Sequence, residues 1–281
     1  MWIFFVLKMT LALVTAQAAP GPDPVTVAID QAQGMALKRD RRAACDRLRT
    51  ALNDTPLTAK ASRARLLEAL SQLDKVFFTD KGQKDYEAGQ VLMFENPDLA
   101  LSKFRAALTV EDGNLSVLVN MAKSQLVKQD CDGAASSISQ ARGLNPFAAE
   151  PALLELRVLV CQKRFADLHD KAKQVPGLEK WEDQYLQYLL ALNHLEQNNS
   201  RRAFEVLAKV TEEQPAFPEP YFYLARAGLS LNKDNQTWLR KYVTLCQKVP
   251  AKDRRRFSLE PRLCANLKEA EDELAKKATD L

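Results

Sequence analysis

A repeat period of about 34 residues constrains this chain more than any single motif does. Ala100, Phe104 and Ala107 are followed one period later by Ala134, Ile138 and Ala141, in the same order of small and bulky side chains. The later apolar positions that continue the spacing are Leu168, Ala172 and Val175, and, after a slip of a single position, Ala203, Leu207 and Val210. A period of about 20–50 residues indicates stacked repeat units, each too small to bury its apolar face alone.

The composition points to helices. Leu and Ala supply 41 and 38 of the 281 residues, whereas Gly supplies only 9. Leu and Ala favour helices, and scarce glycine leaves few of the tight turns that β-hairpins need. We therefore expect an all-helical soluble protein, and we exclude β-sandwich, collagen-like and glycine-rich phosphate-binding chains.

The repeated positions resemble the tetratricopeptide repeat, a helix–turn–helix unit of about 34 residues. The resemblance implies an all-α fold, a right-handed superhelical solenoid of antiparallel helix pairs. The step from Ala44 to Ala100 is longer than one period and shorter than two, so an extra helix is expected between them. The predicted parts are a degenerate unit at 24–58, an intervening helix at 58–80, tandem units over 81–250 and a capping helix at 258–281 that Ser258 begins.

In that family the first helix of each unit lines a concave groove that binds another polypeptide. The resemblance therefore implies eight groove-lining side chains, namely Asn120, Lys123, Leu153, Arg157, Tyr185, Tyr188, Phe222 and Arg226. Cationic points between aromatic walls suit an extended peptide or an acidic tail. The Lys and Asn combination with which chaperone-binding members clamp a C-terminal carboxylate is not reproduced, which disfavours recognition of chaperone tails.

The N-terminus has the pattern of a secretory signal peptide at residues 1–19. An apolar stretch broken only by Lys8 ends in the small-x-small sequence Ala16-Gln17-Ala18, and Pro20 follows closely. We expect cleavage after Ala18 and export to the periplasm or the medium. An uncleaved anchor in the inner membrane stays open as the alternative.

Export would allow the five cysteines to form disulfides. Stacked hairpins would bring Cys131, at the start of a second helix, close to Cys161, near the end of the following first helix. They would likewise bring Cys246 close to Cys264. We predict these two disulfides and a free Cys45, while buried free thiols remain the other possibility.

The sequence lacks the patterns that mark common enzymes. No nucleophile elbow, zinc-protease, phosphate-loop or dinucleotide motif occurs. His169 and His194 are the two histidines, and both lie among polar residues. We therefore predict no enzymatic activity, no metal and no cofactor. A hidden enzyme site is a rival hypothesis that a closed pocket converging on either histidine would favour.

Basic residues gather at 38–42 and 252–256, each time around an aspartate. The net charge of +4 is small for a nucleic-acid-binding protein, so we predict no nucleic-acid partner and solvated linkers at both clusters. The predicted function is a non-enzymatic scaffold that binds another protein or an extended peptide in its groove. The alternative is an envelope assembly factor docked at the membrane through an uncleaved anchor and these linkers.

Overall fold

The computed structural model describes residues 21–175, 177–248 and 257–279, so the predicted signal peptide at 1–19 and the basic cluster at 252–256 lie outside the described residues. All regular secondary structure in those three ranges is helical. The helices are α1 (Pro24–Leu37), α2 (Arg41–Asp54), α3 (Lys60–Lys75), α4 (Asp80–Leu92), α5 (Pro97–Val110), α6 (Leu115–Val127), α7 (Cys131–Leu144), α8 (Ala149–Cys161), α9 (Phe165–Ala172), α10 (Lys180–Glu196), α11 (Ser200–Glu213), α12 (Glu219–Leu229), α13 (Gln236–Lys248) and α14 (Leu267–Thr279).

Helices α4 to α13 form consecutive hairpins, each made of a first and a second helix, and we call this part the array. Each helix of the array packs against the next one along the chain. First helices also contact one another across hairpins, α6 with α8, α8 with α10, and α10 with α12. The predicted all-α solenoid of antiparallel helix pairs is confirmed. We call the surface formed by α6, α8, α10 and α12 the inner face.

Side-chain caps fix where the helices of the array begin. Asn96, Asn114, Asp130 and Asn199 each accept a hydrogen bond from a backbone N–H in the first turn of the helix that follows, at 2.9–3.2 Å. A cap of this kind stabilises its helix by about 1 kcal/mol. These turn residues therefore fix where α5, α6, α7 and α11 begin, and they contribute to the spacing of the repeats.

The small residues of the repeat lie where helices cross. Ala100, Ala134 and Ala141 are fully buried. In the first hairpin of the array, a methyl group added at Gly89 would lie 2.5 Å from the ring of Phe104, which is closer than atoms can approach. Larger residues at these positions would push the paired helices apart.

Helices α1, α2 and α3 share a separate core, the N-terminal bundle, which docks on the array through α6 and α7. Arg41 is buried and pairs with Glu111 at an N–O distance of 2.8 Å, while the exposed Arg42 pairs with Asp112 at 2.6 Å. The expectation of a solvated linker at 38–42 is therefore wrong for Arg41. Its charge joins the bundle to the array instead of facing water.

Asp74, near the end of α3, completes this junction. Its Oδ2 accepts a hydrogen bond from Asn145 Nδ2 at 2.6 Å, and its backbone carbonyl oxygen accepts one from the Ser116 hydroxyl at 2.8 Å. Burial raises the pKa of Asp74 to about 6, although the hydrogen bond from Asn145 and the charge of Arg41 act to lower it. The junction is thus a polar interface that contains an ionisable buried acid.

The C-terminal helix begins later than predicted. Residues 257–266, which we call the groove segment, are irregular, and α14 begins only at Leu267. The prediction that Ser258 begins this helix is wrong. Cys264 has a left-handed backbone with a φ of 62°, and several backbone groups of the groove segment bond to side chains of the array instead of continuing a helix.

We expect Asp74→Asn to stabilise the protein near pH 7 and to flatten its pH dependence. The folded state binds the Asp74 proton more tightly than the unfolded chain does, so the protonated carboxyl adds to the free energy of unfolding. That contribution is fully present below about pH 4 and is lost as the pH rises to about 6. An uncharged amide still accepts the hydrogen bond from Asn145, and the gain at pH 7 should be about 1–3 kcal/mol. Urea unfolding at several pH values between 4 and 7 measures it.

Asp112→Asn is the control with the opposite sign, because the hydrogen bond from Arg42 lowers the pKa of Asp112. The stabilisation from Asp112 is present at neutral pH and is lost on acidification. This variant should therefore be destabilised only above about pH 4, where the wild-type carboxylate is charged. If Asp74→Asn keeps the wild-type slope between pH 4 and pH 7, burial of an ionisable carboxyl at the junction is contradicted.

Candidate functional site

Most of the eight predicted groove residues are already covered. Six are buried, namely Asn120, Lys123, Leu153, Tyr185, Tyr188 and Phe222. The Arg157 side chain is 12% exposed, and the Arg226 side chain is 58% exposed. The structure therefore does not present the eight side chains as one open groove.

The groove segment lies across the inner face and is held there by an ion pair. Nε and Nη2 of Arg157 donate to the two carboxylate oxygens of Glu260 at 3.0–3.2 Å. The Glu260 side chain is only 1% exposed. Burial alone would lower the pKa of Arg157, but the charge of Glu260 outweighs it and raises that pKa above its ordinary value. Arg157, predicted to face a partner, thus binds a carboxylate of its own chain.

Aromatic side chains of the array hold the apolar part of the groove segment. The ring of Phe257 stacks on Phe217 with centroids 5.5 Å apart, and it meets Trp181 edge-on at 5.5 Å. The Tyr185 hydroxyl donates to the backbone carbonyl oxygen of Leu259 at 2.6 Å. Burial raises the pKa of Tyr185 well above its usual range, so the hydroxyl keeps the proton that it donates.

A second buried carboxyl group, Glu219 at the start of α12, holds the main chain of the groove segment. Glu219 Oε1 accepts a hydrogen bond from the backbone N–H of Cys264 at 2.5 Å. Burial and the nearby charge of Glu260 raise the pKa of Glu219 well above the usual range. Burial thus favours the protonated form of Glu219, while Glu260 is the carboxylate that bonds to Arg157.

The structure places Tyr223, and not Phe222, at the inner face. The rings of Tyr223 and Tyr188 have centroids 6.0 Å apart, whereas the ring of Phe222 packs against Tyr242 of α13 at 5.3 Å. Phe222 lies 34 residues after Tyr188 in the sequence, whereas Tyr223 lies 35 residues after it. One residue turns a helix by about 100°, which moves Phe222 into the core between α12 and α13.

The remaining predicted residues connect neighbouring first helices. Asn120 Nδ2 donates to the Tyr86 hydroxyl of α4 at 3.1 Å, and Lys123 pairs with Glu150 of α8 at 2.5 Å. Leu153 is fully buried, because α8 is packed between hairpins on both sides. These side chains stabilise the stack, and Arg226, which pairs with Glu269 of α14 at 3.5 Å, is the predicted residue still exposed.

The disulfides join the cysteines that the sequence analysis pairs. Cys131 and Cys161 have Cα atoms 5.7 Å apart, and Cys246 and Cys264 have Cα atoms 5.6 Å apart. Both separations lie in the ordinary range for a disulfide. Cys45 is a buried free thiol whose pKa burial raises to about 11. The second disulfide ties the groove segment to α13.

The two histidines do not lie together with a nucleophile or a metal site. His169 is exposed on α9, and His194 on α10 is half-buried, with a pKa that burial lowers. Within the described ranges, no three His, Cys, Asp or Glu side chains are arranged to hold a metal ion. What the inner face binds in the structure is the main chain, apolar side chains and carboxylate of the groove segment.

No protein-family model and no curated protein sequence matches this chain. Solved structures do match it. Human IFIT1, solved as a dimer with m7Gppp-AAAA, is 15% identical and superposes with a TM-score of 0.52 over 92% of this chain and 64% of its own length. The chain has the tetratricopeptide-repeat fold. A tetratricopeptide repeat protein from Parabacteroides merdae ATCC 43184 is 16% identical, with a TM-score of 0.44 over 91% of this chain and 92% of that one.

The likeness concerns the tetratricopeptide-repeat fold alone. This chain spans less than two thirds of the length of IFIT1, and MamA residues 41 to the end, from Desulfovibrio magneticus RS-1, cover 61% of this chain at 15% identity with a TM-score of 0.45. None of the helices described here combines the length and the apolar character needed to cross a bilayer.

Sequence reasoning missed the residues that occupy and frame the inner face, namely Trp181, Phe217, Glu219, Tyr223, Phe257, Leu259 and Glu260. The array residues among them lie within repeat units and carried no distinct signal. Glu260 was missed because Ser258 and Pro261 are typical of the start of a helix, which predicted a helix at this position. A segment that is apolar at alternate positions, between a basic cluster and a helix, is the one signal that could have found it.

We expect Glu260→Gln to lower the free energy of unfolding by about 3–5 kcal/mol, because it leaves the charge of Arg157 buried without a counter-ion. The double variant Arg157→Leu/Glu260→Leu removes both charges. It should lower the free energy of unfolding by much less than the single variants Arg157→Leu and Glu260→Leu do in sum. Urea unfolding, monitored by circular dichroism, measures the free energy of unfolding of the wild-type chain and of each variant.

Arg202→Gln is the control, because Arg202 pairs with Glu205 at the surface of α11. An exposed pair contributes at most about 1 kcal/mol. A cost for Glu260→Gln no larger than that of Arg202→Gln would show that the Arg157–Glu260 pair does not hold the groove segment.

Proposed function

We propose that this chain is an exported, non-enzymatic scaffold that binds another polypeptide on the concave inner face of its tetratricopeptide-repeat array. One observation carries the proposal. The inner face already holds an irregular stretch of polypeptide, the groove segment, through contacts that recognise a main chain as well as side chains. A surface with these contacts has the chemistry that a peptide site needs.

Two features support export. Cys131–Cys161 and Cys246–Cys264 are within bonding distance, and disulfides persist in oxidising compartments such as the periplasm. The sequence pattern of residues 1–19 is that of a secretory signal peptide. We place the mature protein in the periplasm or outside the cell on these grounds.

The use of the cationic side chains supports a protein partner over a nucleic acid. Arg41, Arg42 and Arg157 are each paired with a carboxylate of this chain, so their charges are already balanced. With a net charge of +4, the chain has little excess positive charge to attract a phosphate backbone. The capped RNA bound by IFIT1 is a property of that protein, and the inner face here is occupied by polypeptide instead.

We expect Arg226→Glu to weaken capture of the partner from extracts of the source cells by at least about tenfold, a loss typical of a central interface charge. Arg226 is the predicted groove residue that is open to solvent, so its reversal changes the inner face without opening the core. Quantitative mass spectrometry of the captured proteins measures the change.

Arg202→Glu is the matched control. Arg202 lies on a second helix, is 59% exposed against 58% for Arg226, and also forms one surface ion pair. The proposal predicts that this variant captures the partner as well as the wild-type chain does. Equal loss, or no loss, with the two variants contradicts binding at the inner face.

The N-terminus provides a separate test of export. We expect the mature chain, purified from the envelope fraction of its source cells, to begin near Ala19. Intact-mass measurement and N-terminal sequencing determine the first residue. A chain that retains residues 1–19 and stays in the membrane pellet favours the alternative, a membrane-docked assembly factor.

A further inference from the structure

We propose that the inner face selects a partner peptide with an aromatic residue, a leucine two positions later and a glutamate directly after it, and that the groove segment is a built-in competitor with this pattern. The segment supplies Phe257, Leu259 and Glu260 in that order. This inference rests on the proposed function and specifies the chemistry of the partner.

The glutamate is selected by the fork of Arg157. Two guanidinium nitrogens face the two oxygens of Glu260, all at 3.0–3.2 Å, in a site from which water is nearly excluded. A planar guanidinium matches a carboxylate in this geometry and matches an amide poorly. Both nitrogens bond to the same carboxylate, so the charge of Arg157 calls for one carboxylate from the ligand.

The aromatic residue and the leucine are selected by apolar surface. Phe217 and Trp181 enclose the ring of Phe257 from two directions, and Leu259 is only 3% exposed. Burial of side chains of this size is strongly favourable, because it removes apolar surface from water. A peptide that lacks either residue would leave apolar walls of the array in contact with water.

The main-chain contacts would be available to any peptide that takes the place of the groove segment. Tyr185 donates to a carbonyl oxygen, Glu219 accepts from a backbone N–H, and the Tyr242 hydroxyl accepts from the backbone N–H of Asn266 at 3.1 Å. None of the three depends on the side chain that the peptide carries. They hold the ligand in register, while the three side-chain contacts provide selectivity.

The groove segment competes because it is tethered. It follows α13 in the chain and is also bound to it by the Cys246–Cys264 disulfide, which closes a loop of 18 residues. Short tethers give a bound segment an effective concentration of about millimolar. A free peptide with the same contacts therefore binds the wild-type chain more weakly than a chain in which the tether or the contacts of the segment are weakened.

The test uses the full chain with the segment weakened by four substitutions, Cys246→Ser, Phe257→Ala, Leu259→Ala and Cys264→Ser. The probe is a fluorescein-labelled synthetic peptide with the sequence of residues 255–266 and serine in place of Cys264. Fluorescence anisotropy measures binding, and circular dichroism verifies that the variant is folded. We expect the variant to bind the probe at least tenfold more tightly than the wild-type chain does.

Two controls test the selectivity. A probe carrying Glu260→Gln should bind the weakened variant at least tenfold less tightly than the glutamate probe. Adding Arg157→Gln to the variant should abolish this difference between the two probes, which a general loss of packing would not do. If the four substitutions prevent folding, the double variant Cys246→Ser/Cys264→Ser replaces them and is titrated to higher probe concentration.

A folded variant that binds neither probe, or binds both equally, would overturn the proposal. Equal binding by the wild-type chain and the variant would also overturn it, because the groove segment would then not compete. A dimer of the double variant that the probe does not dissociate would overturn it too, because the segment of a second copy would then be the occupant. All these outcomes leave the Arg226→Glu capture result unaffected, so failure here is distinguishable from failure of the proposed function.

Discussion

A buried arginine needs an acidic partner, because an unpaired charge in the protein interior removes a large share of a domain's net stability. This chain meets the requirement twice, and each time the pair attaches a part of the chain that does not repeat. Arg41 and Glu111 join the N-terminal bundle to the array, and Arg157 and Glu260 join the groove segment to it. The stacked hairpins supply the fold, but these two pairs decide what the fold presents to its surroundings.

The repeating part could be predicted from the sequence because its determinants are local and recur. Small residues at Ala100 and Ala134 mark helix crossings, and caps such as Asn114 and Asp130 mark helix starts, so both the class and the hairpin spacing follow from the chain. The cysteine pairs follow for the same reason, since their separations of 30 and 18 residues fall within adjacent elements of one stack.

The attachments could not be predicted, because ion pairs between distant residues leave no periodic signal. Arg41 and Glu111 are 70 residues apart, and Arg157 and Glu260 are 103 apart. From the sequence alone, either arginine is equally compatible with a solvated position, because its neighbours in space are not known. The groove prediction assigned Arg157 to a partner's carboxylate, whereas in the structure Arg157 binds a carboxylate of its own chain. It also placed Phe222 where Tyr223 lies, since a slip of a single position rotates a helix by more than a quarter turn.

The raised pKa of Glu219 favours its protonated form, which lets two carboxyl groups and one guanidinium share a buried site. Were both acids ionised, the site would carry a net negative charge in a medium that screens it poorly. Burial favours the protonated form of Glu219, whose Oε1 accepts from the Cys264 N–H, while Arg157 pairs with Glu260. The inner face thus holds the groove segment through the ion pair at Arg157, with the apolar side chains of Phe257 and Leu259 buried beside it.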